Sequence, residues 1–215
     1  MTDNTDIQSE FFYKGRKIQR SSETRPEAMR RREQVKRRVG NAMEKSVSDL
    51  DAKRALDVGT GFGSNVKRLA MEFSGRGKVW SIDPSPVVLQ EARWMLRAEG
   101  LLRNVRLVQA QAEKIPVREG YFGLVTAVML IHHLANPQSG LQEMVRVLSD
   151  GGKLILADWR PVASEAVPHR ARDFPRAKMV GMILDRLGLS VKLREYRYWY
   201  LIVGTKSTVK KKHSL

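Results

Sequence analysis

Two acids and three glycines in a fixed order carry the most chemistry in this sequence. Asp57 lies near the end of an apolar run, Ala55-Leu56-Asp57-Val58, and Gly59, Gly61 and Gly63 follow it in the stretch G-T-G-F-G. Glycines spaced this way let the backbone turn tightly and approach a ligand, with N–H groups aimed at something polar. Asp83 lies 24 residues after Gly59 and closes a second apolar run, Val79-Trp80-Ser81-Ile82. A carboxylate there can accept hydrogen bonds from both hydroxyls of a ribose.

The loop alone does not name its ligand. A dinucleotide fingerprint, G-x-G-x-x-G, needs small residues at 59, 61 and 64, and Ser64 fills the last place only loosely. The ribose could belong to NAD or to S-adenosylmethionine. The bland alternative is a glycine-rich turn beside a solvated Asp, and the two framing strands argue against it.

The elements that must hold these residues follow from periodicity. After the loop, Val66, Leu69, Ala70 and Phe73 recur at the i, i+3, i+4, i+7 spacing of a helix with one apolar face. Ser85-Pro86 caps a second helix, with Leu89, Ala92 and Leu96 facing inward and Gly100 closing it. Val105 to Ala110 reads as a third strand and Leu124 to Met129 as a fourth, apolar on both faces like a central parallel strand. A helix around Leu141 to Leu148 and the turn Asp150-Gly151-Gly152 lead into a fifth strand, Leu154 to Ala157. A last helix, Ala177 to Leu187, ends at Gly188, and two extended runs, Val191–Tyr198 and Trp199–Gly204, pair antiparallel. This alternation predicts a doubly wound α/β fold, a Rossmann-like and mostly parallel sheet of seven strands with the last strand antiparallel.

The chain divides into a basic N-terminal extension over 1–50, a ligand-binding domain over 51–206 and a basic tail over 207–215. Residues 1–22 read as poorly ordered apart from Phe11-Phe12-Tyr13, an aromatic cluster expected to dock. Pro26 opens a charged helix to about Val47 with a thin apolar stripe of Ala28, Val35, Val39, Ala42 and Met43. At 215 residues and 42 % apolar composition the chain suits one globular domain. No apolar run approaches a membrane span and the polar start is not a signal peptide, so the expected location is cytoplasmic. With no cysteine and 4 histidines lacking ligand spacing, no metal is expected.

Net charge is +16, and its distribution is uneven: +5 over residues 1–54, +2 over 55–158 and +9 over 159–215. The ligand-binding middle is nearly balanced while both ends are basic. The segment Arg160 to Arg176 holds Arg160, Arg170, Arg172 and Arg176 against Glu165 and Asp173, and Lys210 to Lys212 form a basic tail. Such ends suit RNA or another polyanion, or else a solvated surface.

Five stretches then carry a family resemblance over about residues 50–206: L-D-V-G-T-G-F-G at 56–63, I-D-P-S at 82–85, Q-A-Q-A-E-K-I-P at 109–116, M-L-I-H-H-L-A-N-P at 129–137 and L-S-D-G-G-K-L-I-L-A-D at 148–158. In this order the chain resembles the class I S-adenosylmethionine-dependent methyltransferases, specifically the small ones akin to quinone C-methyltransferases (methyltransferase type 11). The resemblance implies S-adenosyl-L-methionine as cofactor. Asp57 would orient the methionine amino group, directly or through water. Gly59, Thr60, Gly61 and Gly63 would run beside the methionine part, and Asp83 with Pro84 would hold the ribose. Gln111, Ala112 and Glu113 would border the adenine, and Val128 and Met129 would wall the sulfonium. Gln111 stands where the family usually has Asp or Asn, Gly123 replaces a common Asp, and Asp150 a common Pro.

His132 and His133 fall where the family places residues near the methyl acceptor, and a neutral imidazole could take a proton there. Paired loop histidines are also often structural. No N-P-P-Y or D-P-P-Y follows the fourth strand, which disfavours a planar amine of adenine or glutamine as acceptor. Absence of cysteine disfavours cytosine C5. A small molecule, a protein side chain or another position on RNA is left. The extension over 1–50 and the segment Arg160 to Arg176 would cap the substrate. A second class is kept beside the enzyme: a non-catalytic cofactor-binding scaffold or nucleic-acid binder.

Overall fold

A computed structural model of the chain describes residues 12–13, 16–17, 26–47, 50–162 and 174–208. Two short strands, β1 (Phe12–Tyr13) and β2 (Arg16–Lys17), pair with each other, and α1 (Pro26–Val47) follows. The main unit then runs β3 (Arg54–Val58), α2 (Ser64–Glu72), β4 (Lys78–Asp83), α3 (Pro86–Ala98), β5 (Val105–Gln109), β6 (Phe122–Val128), α4 (Pro137–Val147), β7 (Leu148–Trp159), α5 (Ala177–Arg186), β8 (Leu189–Glu195) and β9 (Trp199–Lys206). The seven-stranded sheet has the order β5-β4-β3-β6-β7-β9-β8. All pairings among β5, β4, β3, β6 and β7 are parallel, and β9 runs antiparallel to both neighbours. The last strand is therefore inserted between β7 and β8; the short 196–198 joint makes β8 and β9 antiparallel neighbours, and the sheet order puts β9 on the inner side. The doubly wound reading of the sequence agrees with this architecture.

The order reverses at β3, where β4 lies on one side and β6 on the other. A crevice opens at the strand carboxyl ends of such a switch point, and the glycine loop lies there. One apolar layer packs α1, α2 and α3 on one face, through Val35, Val39, Val66, Leu69, Phe73 and Leu96. The other packs α4 and α5 through residues such as Leu141, Met144, Val180 and Leu184. In α1 the expected stripe is buried at Val35, Val39 and Met43, and Val47 extends it.

Several local expectations change. The helix expected over Leu141 to Leu148 begins one turn earlier, at Pro137. Asn136 caps it by accepting from the Ser139 N–H at 3.0 Å, and proline occupies the first turn. The turn Asp150-Gly151-Gly152 does not precede a strand but lies inside one. β7 starts at Leu148 and absorbs the residues as an irregularity: its pairing with β6 jumps from Phe122↔Leu148 to Leu124↔Lys153. Gly151, at φ 73°, takes the left-handed conformation this needs. The third strand ends at Gln109, and the fourth runs from Phe122 to Val128. Within Arg160 to Arg176, residues 163–173 lie outside the described set, as do residues 1–11, 18–25 and 209–215. The readings made for Phe11, Glu165, Arg170, Arg172, Asp173 and Lys210 to Lys212 lie there.

Phe122 starts β6 with no exposed surface, its ring edge-on to Trp80 at 5.8 Å and to Tyr121 at 4.9 Å. Replacing Phe122 by Ala should cost about 3–5 kcal/mol of stability, read as a lower urea midpoint at unchanged m-value.

Candidate active site

The site begins with a row of polar side chains across three parallel strands. Asp57 on β3 pairs in register with Ser81 on β4 and with Thr126 on β6. All three are fully buried and point to the α2 side of the sheet, where α2 adds Asn65. Asp57 Oδ1 accepts from Asn65 Nδ2 at 2.6 Å and Thr126 Oγ1 at 3.4 Å. Its Oδ2 accepts from Ser81 Oγ at 2.9 Å. Ser81 Oγ in turn shares a hydrogen bond of 2.8 Å with Thr60 Oγ1 in the loop. Burial pushes the Asp57 carboxyl up to about 6, although the hydrogen bonds from Asn65, Ser81 and Thr126 oppose the shift.

This row anchors the glycine loop from below. Gly59 and Thr60 both donate from their N–H groups to the Ile82 carbonyl, at 2.8 and 3.1 Å, so the loop bends back over β4. Gly59 at φ 84° and Gly63 at φ 79° adopt conformations that disfavour a side chain, and an added Cβ would come within 2.9 Å of Leu130 and 2.5 Å of Met95. Gly61 differs: at φ 49° its missing Cβ would meet only the Gly59 carbonyl, at 4.0 Å. The space over Gly61 is open, as close approach by a ligand demands.

Asp83 closes the loop from the other side. Its Oδ2 accepts from the Gly61 N–H at 3.2 Å and its Oδ1 from the Ser85 N–H at 3.0 Å. Burial raises its affinity for a proton, and the N–H groups of Ser85, Gly61 and Thr60 oppose this. Each carboxylate oxygen retains acceptor capacity, so the donor set fits a ribose diol. Pro84 is exposed beside it. The 111–113 stretch follows β5: Gln111 is exposed, Ala112 buried and Glu113 half-buried. An ion pair on α4 holds the chain just beyond it. Glu143 accepts from the Ile115 N–H at 2.8 Å, while Arg146 donates to the Ile115 and Val117 carbonyls at 2.9 and 2.8 Å.

At the end of β6, Val128 is followed by Met129, whose φ of 53° makes it the one non-glycine residue in the left-handed region among those described. Strain of this kind persists where surroundings enforce it, and the Met129 N–H is held at 2.7 Å by the Ala157 carbonyl. The backbone then enters a single 3₁₀ turn, Ile131–His133, carrying the two histidines. His132 is 3 % exposed and His133 exposed, with ring centroids 4.0 Å apart. His132 also packs against Phe174 at 4.9 Å. Buried Asp158, at the end of β7, accepts from the His132 backbone N–H at 3.1 Å and meets its Nδ1 at 2.6 Å. Tyr200 on β9 lies directly opposite Asp158 in register. Its hydroxyl is buried with no hydrogen-bond partner among the described residues, and burial, then the nearby Asp158, push its pKa up.

Asp57, Gly59, Thr60, Gly61, Gly63 and Asp83 thus form one joined construction. His132 belongs to a second cluster, with Asp158 and Tyr200. Sequence reasoning missed Asn65, Ser81, Thr126, Asp158, Tyr200 and the Glu143–Arg146 pair. For Ser81 and Thr126 a signal existed, a single hydroxyl interrupting each apolar strand.

Because the folded-state value for Asp57 lies above its usual 3.8, this group favours folding at low pH, and the contribution is lost as pH rises through about 6. Above that pH the ionised carboxylate depends on its donors. Asn65→Ala should therefore cost roughly 1–3 kcal/mol at about pH 8 and distinctly less at about pH 5, measured by urea unfolding at both.

Residues 56–156 match the methyltransferase domain family. A ubiquinone/menaquinone biosynthesis C-methyltransferase of Coxiella burnetii is 29 % identical over 152 residues, covering 70 % of this chain and 58 % of that protein. The protein of the same name from Vibrio vulnificus is 32 % identical over 111 residues, 51 % of this chain and 43 % of its own length. The chain thus spans less than two thirds of the curated relatives it matches. The crystal structure of an S-adenosylmethionine-dependent methyltransferase from Aquifex aeolicus superposes with a TM-score of 0.70 at 23 % identity, over 78 % of this chain and 88 % of that one. Together with the strand-end acids, the open glycine loop and the antiparallel β9, these matches identify residues 56–156 as a methyltransferase domain with the class I S-adenosylmethionine-dependent fold, similar in sequence to that of quinone C-methyltransferases.

Proposed function

We propose that the protein transfers a methyl group from S-adenosylmethionine to an acceptor entering at the carboxyl edge of the sheet. The observation that carries this is the coupling of Asp83 to the glycine loop through the Gly61 N–H, beneath open space at Gly61. When bound, S-adenosylmethionine supplies an electrophilic methyl group on a sulfonium. The chain's own residues bind, align and exclude water, and in-line displacement gains much of its rate from such alignment.

Asp83 would accept from the ribose hydroxyls, while the loop backbone lies against the methionine part. Gln111 and Ala112 would border the adenine, with Glu113 at the rim, and Val128 and Met129 the sulfonium side. His132 is the base the arrangement favours for an acceptor that must lose a proton. With Asp158 accepting, Nδ1 carries the proton and Nε2 the lone pair, so the imidazole can accept a proton through Nε2. His133, exposed on the same turn, would lie at the mouth. The relatives' names point to a quinone-like ring carbon as one acceptor class, and the buried, largely apolar surroundings of His132 suit a small molecule of that kind.

Asp83→Ala should weaken S-adenosylmethionine binding by about 1–3 kcal/mol in calorimetry, with NAD giving no heat in either protein. Heat from NAD and none from S-adenosylmethionine would remove the reading. Tritiated methyl transfer into a cell extract, fractionated into small molecules, protein and RNA, tests turnover. His132→Gln should abolish that transfer while cofactor affinity stays within about twofold, since the ring lies outside the Asp57–Asp83 construction. Cofactor binding with no labelled product in any fraction would favour a scaffold instead.

A further inference from the structure

The outer face of α1 has no part in the site described above. Val35, Val39, Met43 and Val47 recur every fourth residue and are buried against the domain. At 3.6 residues per turn the opposite side carries Arg30, Gln34, Arg37, Arg38, Asn41 and Lys45, all exposed. Each is a hydrogen-bond donor, four are cationic, and the line contains no acid. The acids that flank it are engaged elsewhere, Glu33 with Lys36 at 3.6 Å and Glu44 with Arg68. The line extends for about 22 Å along the helix.

The helix also reaches the cofactor loop. Lys36 Nζ lies 6.0 Å from the ring centroid of Phe62, which sits between Gly61 and Gly63 and is 65 % exposed. Lys36 lies outside that line, about 100° round the helix from Arg37 on the flank that meets the loop. Cations on two flanks of α1 and an exposed aromatic ring supply the two contacts by which proteins hold single strands, phosphate neutralisation and base stacking. A duplex keeps its base faces covered. An anionic membrane would engage a basic helix through its apolar face, and that face of α1 is already buried.

We propose that the outer face of α1 and Phe62 together bind single-stranded RNA, the arginines tracking phosphates and the Phe62 ring stacking on an unpaired base at the mouth of the cofactor loop. Binding is independent of catalysis; only the further step, that the bound strand is itself the methyl acceptor, rests on the methyltransferase reading.

Fluorescence anisotropy with a labelled oligouridylate of about 20 nucleotides tests it on the full chain. The logarithm of affinity should fall linearly with the logarithm of salt, and replacing Arg30, Arg37 and Arg38 together by Ala should flatten the slope by about 2, from about 0.7 per lost contact. Phe62→Ala should weaken binding roughly tenfold with the slope unchanged, because stacking releases no counterions. The triple variant should bind S-adenosylmethionine normally, which separates lost RNA contacts from misfolding. No binding at low salt, an unchanged slope in the triple variant, or tighter binding to duplex RNA, to oligodeoxythymidylate or to phosphatidylglycerol vesicles overturns the proposal. RNA binding without labelled methyl transfer would retain this surface and remove the methyltransferase reading; transfer without RNA binding would do the reverse.

Discussion

The structure depends on one buried carboxylate. Asp57 sits at the centre of the sheet with no exposure, and an unpaired charge there would cost several kcal/mol. Ser81, Thr126 and Asn65 donate to it, which requires β4, β6 and α2 to meet β3 in one register. The same bonds set where α2 begins and, through Ser81 and Thr60, where the glycine loop turns. Stability and the geometry of the glycine loop therefore share one set of contacts. Their cost is visible in the carboxyl itself, which burial holds near 6.

Around this centre the two sheet faces divide the work. The Asp57 row lies on the α2 face, beneath the glycine loop. The His132–Asp158–Tyr200 cluster belongs to the α4 and α5 face, where Tyr200 joins the core with Val180 and Leu184. Between them β6 ends at the left-handed Met129, which turns the chain from one face toward the other. A residue that bends the backbone here lets a single strand contribute a wall to one cluster and the histidine turn to the other. A fold of this kind hosts many acceptors, so the acceptor is a property of the site's residues and not of the fold.

Helices outside the central row act mainly as supports. α4 fixes the chain beyond the 111–113 stretch through Glu143 and Arg146, a pair in which each side chain also satisfies backbone groups. That pairing with Arg146 holds the Glu143 carboxyl below the usual carboxylate range. α1 covers α2 with a narrow apolar face and leaves its basic side outward, so the positive N-terminal charge read from the sequence is presented on a rigid element.

Local pattern alone determined much of this protein. The period of Val66, Leu69, Ala70 and Phe73, the Ser85-Pro86 cap, the alternation of strand and helix, and the two strand-end acids with their glycine loop were all legible, because each is a short-range consequence of backbone geometry. The Asn136-Pro137 cap was equally local but lay inside a stretch read as loop, and the glycines at 151–152 read as a turn because an irregularity within β7 shows only against its partner strand. Tertiary structure alone decided the partners. Asn65 and Thr126 lie 8 and 69 residues from Asp57, and His132 lies 26 from Asp158. Register between strands, not spacing along the chain, brings such groups within hydrogen-bonding distance.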